Sequence, residues 1–276
     1  MRSARIEVHP RVSIDHVCMM RQGPAEFIAS CRELGARHIV LSSPHLLTDT
    51  GPEQARRALA GTSIEVEAVN APFAVFPNLQ EDRGEATATM LKLIEIGSRL
   101  GARSAYFLTG GRARLDWDAA ADRFAELVRP CLLAARERGM TLMIENAPAL
   151  YADIHIAHSL ADTLELAERP GVGVCIELYF CWAEAGLERL FRRAMPICGL
   201  VQVSDYVLGD RSLPNRAVPG DGAIPLERLL GEVLEAGYEG VFDIELIGPR
   251  IDAEGPLAAT RRAAERISEI LTRLGA

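Results

Sequence analysis

Residues 141–177, TLMIENAPALYADIHIAHSLADTLELAERPGVGVCIE, contain one full repeat of the pattern that decides the fold. An apolar run at residues 141–145 ends in a glutamate, and a helical segment is expected at residues 159–168, with Ser159 as its N-cap. A second apolar run at residues 172–177 again ends in a glutamate. Apolar strands that alternate with helices are typical of a parallel sheet covered by helices.

The same alternation extends in both directions along the whole chain. Strands are expected at residues 11–15, 38–41, 64–69, 104–108, 141–145, 172–177, 197–204 and 240–245. Helices are expected at residues 24–34, 52–59, 82–100, 117–139, 159–168, 183–194, 225–236 and 256–274. This pattern predicts an α/β fold, a single (β/α)₈ TIM barrel that forms one domain over residues 1–276. An open, doubly wound sheet fits the same periodicity.

Composition excludes several classes of protein. The 276 residues carry 30 basic and 38 acidic side chains, a formal charge of −8, which disfavours nucleic-acid binding through clustered Lys and Arg. There is no run of 18 apolar residues, so we expect no membrane partner. The 6 cysteines are scattered without a CxxC pair, and the N-terminus has no apolar signal core. These features predict a reduced, cytoplasmic protein.

Polar side chains end four of the predicted strands in the second half of the chain. These residues are Glu145, Glu177, Gln202 and Glu245. The carboxyl ends of barrel strands meet on one face, so we expect the four side chains to converge. Three carboxylates repel one another unless a cation neutralises them, and oxygen ligands suit Mg²⁺ or Mn²⁺. The alternative is that these are four unrelated polar residues at strand ends.

Several motifs around these residues resemble a known family. They are Met143-Ile-Glu-Asn-Ala-Pro148, Gly173-Val-Cys-Ile-Glu177, Val201-Gln-Val-Ser-Asp-Tyr206 followed by Pro219-Gly-Asp-Gly222, and Gly237-Tyr-Glu-Gly-Val-Phe-Asp-Ile-Glu245. Together they resemble the xylose isomerase-like TIM-barrel superfamily, which includes sugar epimerases, hydroxypyruvate isomerase, dehydratases and an apurinic-site endonuclease. The resemblance covers nearly the whole chain. It implies a divalent-metal site formed by Glu145, Glu177, Gln202 and Glu245, with Glu145 and Glu245 as the acid–base pair.

The chain departs from the family pattern at two positions of this site. The second ligand is usually Asp, whereas Glu177 is one methylene longer. A nearby His of the family is replaced by Phe180, which removes a polar substrate contact. Gln202 stands where the third ligand is commonly His, although the hydroxypyruvate isomerase branch also has Gln. These departures leave an altered or lost metal site as an alternative.

Six further residues are candidates for substrate binding: His16, His45, Phe73, Phe180, Trp182 and Arg216. The two histidines follow the first and second strands, where an imidazole can exchange protons near neutral pH. Arg216 precedes the Pro-Gly-Asp-Gly motif, at a loop position that the family often uses for a polar substrate group. The three aromatic residues belong to an apolar rim, which favours a ring-bearing or partly apolar substrate. Packing inside a loop, or a surface position for Arg216, is the alternative in each case.

The leading hypothesis is a Mn²⁺- or Mg²⁺-dependent isomerase or epimerase of a sugar-like or cyclic hydroxy-carbonyl compound. Glu145 and Glu245 would move the proton through an enediolate. A metal-dependent dehydratase or lyase on the same scaffold is the first alternative. A metal-free binding barrel is the second, and Glu177 and Phe180 favour it. We expect a small-molecule substrate and no nucleic-acid partner, and the resemblance implies a homodimer.

Overall fold

Eight parallel strands form a closed barrel in the computed structural model, which describes residues 8–72 and 78–276. The strands are β1 Val12–Asp15, β2 His38–Ser42, β3 Glu65–Pro72, β4 Ser104–Leu108, β5 Thr141–Glu145, β6 Gly173–Glu177, β7 Cys198–Val203 and β8 Phe242–Ile244. Each strand pairs with the next, and β8 pairs with β1 through Ser13 and Asp243. Closure confirms the predicted (β/α)₈ barrel and excludes the open sheet.

Helices connect the strands on the outside of the barrel. They are α1 Pro24–Leu34, α2 Ser43–Leu46, α3 Gly51–Leu59, α4 Glu85–Arg99, α5 Trp117–Glu137, α6 Leu160–Glu168, α7 Leu178–Cys181, α8 Leu187–Ala194, α9 Leu226–Glu235, α10 Pro249–Glu254 and α11 Pro256–Leu274. Local signals set several of these ends. Ser159 caps α6 by accepting a hydrogen bond from the Asp162 N–H, as predicted. Gly101, just after α4, has φ +78°, which suits glycine.

The barrel interior and the layer between barrel and helices are both apolar. Inside the barrel, alternate residues of neighbouring strands pack together, among them Tyr106, Met143 and Cys175. Because the interior is filled, polar groups that need a cavity can only lie at the strand ends. The glutamates that end β5 and β6 are therefore placed at the carboxyl-terminal mouth of the barrel.

The connection between β7 and α9 is held in a defined shape by Asp205. Its carboxylate accepts hydrogen bonds from the N–H groups of Tyr206, Gly220, Gly222 and Ile224. A side chain at Gly222 would bring its Cβ within 2.3 Å of Asp205 Oδ1, so only glycine fits. Asp205 also forms an isolated antiparallel bridge with Ala217. This bridge fixes the backbone beside Arg216.

None of the helices in residues 8–72 and 78–276 combines the length and the apolar character that a membrane crossing requires. All six cysteines are free thiols, and five of them are buried.

Candidate functional site

Three glutamates meet at the mouth of the barrel, and we call Glu145, Glu177 and Glu245 the glutamate cluster. One carboxylate oxygen of each lies within 4.8 Å of the others. Glu177 is fully buried, while Glu145 and Glu245 are only 8% and 9% exposed. The structure therefore brings together three of the side chains that the strand pattern predicts to converge.

Arg216 lies inside this cluster. Its Nη1 is 2.6 Å from Glu177 Oε2, and its Nη2 donates a hydrogen bond to Glu245 Oε1 at 3.1 Å. Nη1 also donates to Ser204 Oγ. The side chain is almost completely buried, so Arg216 is not the surface residue that the sequence left open. Its guanidinium is an internal counter-charge to two carboxylates.

Aromatic rings cover the guanidinium. The Arg216 Cζ lies 4.7 Å from the ring centre of Tyr179 and 5.0 Å from that of Phe180. A cation over an aromatic face is stabilised by the ring quadrupole. Phe180 stands where the family pattern has a histidine. Its apolar ring therefore stabilises the Arg216 guanidinium at a position where the family has a polar ring.

Burial and charge shift the pKa values of the cluster. Burial, followed by the neighbouring Glu245 and Glu177, raises the pKa of Glu145 well above its usual range. Burial also raises the pKa of Glu177, to about 7, although Arg216 opposes this shift. Burial lowers the pKa of Arg216, but the cluster carboxylates outweigh it and raise that pKa above its ordinary value. Arg216 is therefore always charged, while burial favours the protonated form of Glu145.

The backbone on both sides of Glu177 is fixed by Asn146. Asn146 Nδ2 donates to the Glu177 carbonyl at 3.0 Å, and the Glu177 N–H donates to Asn146 Oδ1 at 2.8 Å. Glu177 Oε1 caps α7 by accepting from the Tyr179 N–H. Glu177 Oε2 has no aligned hydrogen-bond donor, although Arg216 Nη1 is close. Glu177 Oε2 is therefore paired with the Arg216 guanidinium.

Gln202 contacts the cluster through its amide nitrogen. Its Nε2 donates to Glu245 Oε2 and to the Tyr106 hydroxyl, and its Oε1 accepts from the Cys175 thiol. Tyr106 donates its own proton to Asp15, so it can only accept from Gln202. This network defines which end of the amide faces Glu245. An oxygen ligand from Gln202 would require the amide to rotate by half a turn.

A second pair of buried carboxyl groups, Asp15 and Asp243, lies beside the glutamate cluster, and we call it the aspartate pair. Both side chains are fully buried. Pairing of Ser13 with Asp243 across β1 and β8 brings the two carboxyls together, and burial, followed by the Asp15 charge, favours a proton on Asp243. Asp15 accepts from Tyr106, Asn70 and the Val17 N–H, while Asp243 accepts from Ser13. Burial raises the pKa of Asp15 to about 7 and that of Asp243 well above its usual range.

A cavity of about 260 Å³ opens onto the cluster, and we call it the carboxylate cavity. Glu145, Glu245 and Arg216 supply its charged groups. The rest of its wall is mostly aromatic or apolar: Val17, Leu108, Tyr151, Tyr179, Phe180, Leu213, Pro214, Asn215 and Ile247. A small molecule in this cavity would contact two carboxylates and one guanidinium at the same time.

The other predicted substrate contacts have different surroundings. His16 is fully buried and stacks between Phe27 and His45, at ring-centre distances of 4.2 and 4.4 Å. Burial lowers its pKa to about 4, so it is neutral and closed to a substrate, contrary to the prediction. His45 is half-buried, and its Nε2 lies 3.0 Å from the Met20 carbonyl oxygen.

The three aromatic residues that were predicted to contact a substrate also differ in their outcome. Phe180 lines the carboxylate cavity, and its contact with a substrate stays a prediction. Trp182 is half-buried and packs against Tyr206, at a ring-centre distance of 6.1 Å. Phe73 lies outside the described residues.

Sequence reasoning missed the aspartate pair and Tyr106. Asp15 ends the apolar run Val-Ser-Ile-Asp, which was a detectable signal of the same kind as Glu145. Asp243 and Tyr106 lie within strands, where nothing local distinguishes them from packing residues. Their proximity results from barrel closure.

The glutamate cluster fits a divalent cation. When all three carboxylates are ionised, one guanidinium leaves two negative charges uncompensated, and Glu177 Oε2 has no aligned donor. Buried charge of this size requires either protons or a cation. Glu145, Glu177 and Glu245 are the residues that would hold the ion, whereas Gln202 as placed presents a donor.

The sequence model of the xylose isomerase-like TIM barrel matches residues 28–270. The chain belongs to this family. The resemblance predicted from the strand-end motifs is thereby confirmed. No curated protein matches the chain in sequence.

Solved structures share the barrel over almost the full chain. A protein from Sinorhizobium meliloti 1021 is 24% identical with a TM-score of 0.84, over 94% of this chain and 98% of that one. The IolI protein with a bound zinc atom is 16% identical with a TM-score of 0.81, over 95% and 98%. D-psicose 3-epimerase, solved in the presence of D-fructose, is 16% identical with a TM-score of 0.79, over 96% and 100%. Likeness at these identities establishes a common fold.

Proposed function

We propose that the protein is a divalent-metal-dependent isomerase or epimerase of a hydroxy-carbonyl substrate. The observation that carries the proposal is the glutamate cluster at the carboxylate cavity, where two of its three members line the wall. Glu145 and Glu245 are the two that a substrate can reach, while Glu177 is fully buried. This division favours Glu145 and Glu245 as the groups that exchange protons with the substrate.

The surroundings of the two glutamates differ in a way that suits acid–base chemistry. Glu245 accepts hydrogen bonds from Arg216 and Gln202, and these donors stabilise its charged form. Burial raises the pKa of Glu145, which favours its protonated form. Two carboxyl groups in different surroundings can act as base and acid. Glu245 would therefore remove the proton from the carbon beside the carbonyl, and Glu145 would return one.

The proton transfer balances within the substrate. The electron pair of the broken C–H bond forms the C=C bond of an enediolate, and the negative charge moves to the carbonyl oxygen. A divalent cation at the cluster would polarise that oxygen and stabilise the charge. Arg216 lines the cavity, where it would orient a substrate oxygen. Return of the proton to the opposite face inverts one centre, and return to the adjacent carbon yields an isomer.

Similar structures support a sugar-like substrate. Among the structural neighbours are D-psicose 3-epimerase, L-ribulose 3-epimerase and 3-keto-D-glucoside 4-epimerase. Each of these three names describes an enzyme that epimerises a sugar with a keto group. The IolI structure contains a zinc atom, which supports a divalent cation in this fold. We therefore propose a ketose or cyclic polyol ketone as the substrate class and Mn²⁺ or Mg²⁺ as the cation.

The test combines metal analysis with proton exchange. We expect purified protein to contain about one divalent ion per chain and to exchange the proton beside the carbonyl of ketoses in D₂O, as followed by NMR. Treatment with EDTA should stop the exchange, and Mn²⁺ should restore it. Exchange that continues at the same rate in metal-free protein would contradict the metal dependence.

A dehydratase is the second candidate, and the apolar wall of the cavity favours it. Tyr151, Phe180 and Leu213 leave few hydrogen-bonding groups for a fully hydroxylated sugar. In this reaction Glu245 removes the same proton, but Glu145 protonates a departing β-hydroxyl instead of carbon. A conjugated carbonyl product, detected by its ultraviolet absorbance, would identify the dehydratase. Deuterium incorporation without such a product would identify the isomerase or epimerase.

A further inference from the structure

A larger cavity of about 710 Å³ lies beside the carboxylate cavity, and we call it the apolar cavity. It is bounded on one side by residues 17–22, which follow β1, and on the other by residues 246–248 and the segment from α10 into α11. Its volume is within the range of about 300–1,000 Å³ that is typical of small-molecule sites.

The lining of this cavity suits an apolar ligand. Four of its lining residues are buried and apolar: Cys18, Met19, Leu246 and Ile251. The charged residues of its lining, Arg21, Asp252 and Arg261, are all exposed and so lie at the rim. Arg261 is also paired with Glu33 at 2.8 Å. An apolar group that enters the cavity would therefore be removed from water, and no ion pair would have to break.

The two cavities share part of their walls. Val17 and Ile247 line both of them. Ile247 follows Glu245 by two residues, so the apolar cavity begins directly beside one of the proposed proton-transfer groups. The two cavities therefore adjoin at Val17 and Ile247.

The shared wall is fixed rather than loose. The Val17 N–H donates to Asp15 Oδ1 at 2.7 Å. The Cys18 thiol donates to the Ile244 carbonyl at 3.1 Å and accepts from the Leu246 N–H at 3.2 Å. These bonds tie the segment after β1 to the end of β8. The position of the apolar cavity relative to the glutamates is thus set by the barrel itself.

We propose that the apolar cavity binds an alkyl or aryl group carried by the substrate, whose hydroxy-carbonyl end lies in the carboxylate cavity. This inference rests on the proposed function and narrows its substrate class to hydroxy-carbonyl compounds with an apolar substituent. The occupant is part of the substrate because the two cavities adjoin and because the carboxylate cavity is too small, at about 260 Å³, to hold such a substituent as well.

The test compares matched ligands by isothermal titration into the Mn²⁺-loaded protein. The ligands are D-fructose, 1-O-hexyl-D-fructose and 6-O-hexyl-D-fructose, so that the tail can extend from either end of the sugar. Burial of one methylene strengthens binding about fourfold. We expect at least one hexyl ether to bind ten times more tightly than D-fructose, or better.

A pair of alanines provides the matched variants. Ala258 is exposed on the first turn of α11 and lines the apolar cavity, whereas Ala253 is exposed on α10 outside this lining. Ala258→Trp should obstruct the cavity from its rim and reduce the preference for the hexyl ether to less than threefold, with D-fructose binding unchanged. Ala253→Trp should keep the full preference.

Four outcomes would overturn the inference. If the hexyl ethers bind no better than D-fructose, or if Ala258→Trp keeps their advantage, the inference fails while the proposed function stands. If none of the three sugars binds, the proposed function fails and the inference fails with it. If the wild type is a dimer that Ala258→Trp dissociates, as measured by light scattering, the cavity belongs to a second copy of the chain.

Discussion

The glutamate cluster and the aspartate pair are both groups of buried carboxyls at the same end of the barrel, but they are compensated differently. The aspartate pair accepts from neutral donors on Ser13, Asn70 and Tyr106, and burial favours a proton on Asp243. The glutamate cluster holds a full cation, Arg216, and retains an excess of negative charge. The pair is sealed from solvent, while two members of the cluster line a cavity.

This difference separates a supporting role from a chemical one. Neutral donors reach both members of the aspartate pair, although Asp243 Oδ2 has none. The contribution of the pair is to hold Tyr106 and, through it, Gln202 in place. The glutamate cluster is incompletely satisfied and accessible, which is the condition expected of a binding or catalytic site.

The largest expected effect comes from removing a cluster carboxylate. Glu245→Gln and Glu145→Gln should each reduce proton exchange about 10²–10⁴-fold, because a positioned acid or base contributes that much to the rate. Deuterium incorporation by NMR measures the effect. Asp243→Asn, two residues before Glu245 and within β8, is the control and should stay within threefold of wild type. If Asp243→Asn reduces proton exchange as much as the two glutamate variants do, the proposed difference in role between the glutamate cluster and the aspartate pair is wrong.

Loss of the internal cation should destabilise the metal-free protein. Arg216→Met leaves buried carboxylates unpaired, and breaking a buried ion pair costs about 3–5 kcal/mol of unfolding free energy. Urea denaturation at pH 8 measures it, and Mn²⁺ should recover part of the loss. Arg228→Met removes an exposed partner of Glu232 and should change little. A fully stable Arg216→Met variant without metal would show that the cluster does not need a counter-charge.

The excess of buried carboxyl groups at the barrel mouth should also make the free energy of unfolding depend on pH. Burial raises the pKa of Glu177 and of Asp15 to about 7. Since an unfolded carboxyl titrates near pH 4, the folded protein binds more protons between about pH 4 and 7. The contribution of these two groups is therefore complete below about pH 4 and is lost as the pH rises through 7. We expect a lower urea midpoint at pH 8 than at pH 5, and a smaller difference when Mn²⁺ is present.

The smallest expected effect is within the aspartate pair, where Asp243→Asn and Asp15→Asn should lower the free energy of unfolding by different amounts. Asp243→Asn retains a donor toward Asp15, so we expect a loss of less than about 1 kcal/mol of unfolding free energy. Asp15→Asn places an amide against three donors, so we expect about 1–3 kcal/mol. Urea denaturation of both variants tests this order. A reversed order would place the proton on Asp15.

Local sequence predicted most of the fold. The bounds predicted for α1, β4, β5 and α11 are those observed, since apolar periodicity and end signals act over a few residues. The short helices α2, α7 and α10 were missed because segments of 4 to 6 residues show no periodicity. Helix α8 begins at Leu187, later than the predicted residue 183, because α7 and a turn come first.

The sequence by itself determined the alternation of strands and helices and placed a glutamate at the end of β5, of β6 and just after β8, because each of these signals lies within a few neighbouring residues. Only the tertiary structure decided what surrounds those glutamates. Arg216 reaches Glu177 and Glu245 because the Asp205–Ala217 bridge folds its loop over the barrel mouth. Asp15 and Asp243 meet because β8 pairs with β1, which joins residues more than 220 positions apart. Contacts across such separations depend on closure of the whole sheet, and no local pattern records them.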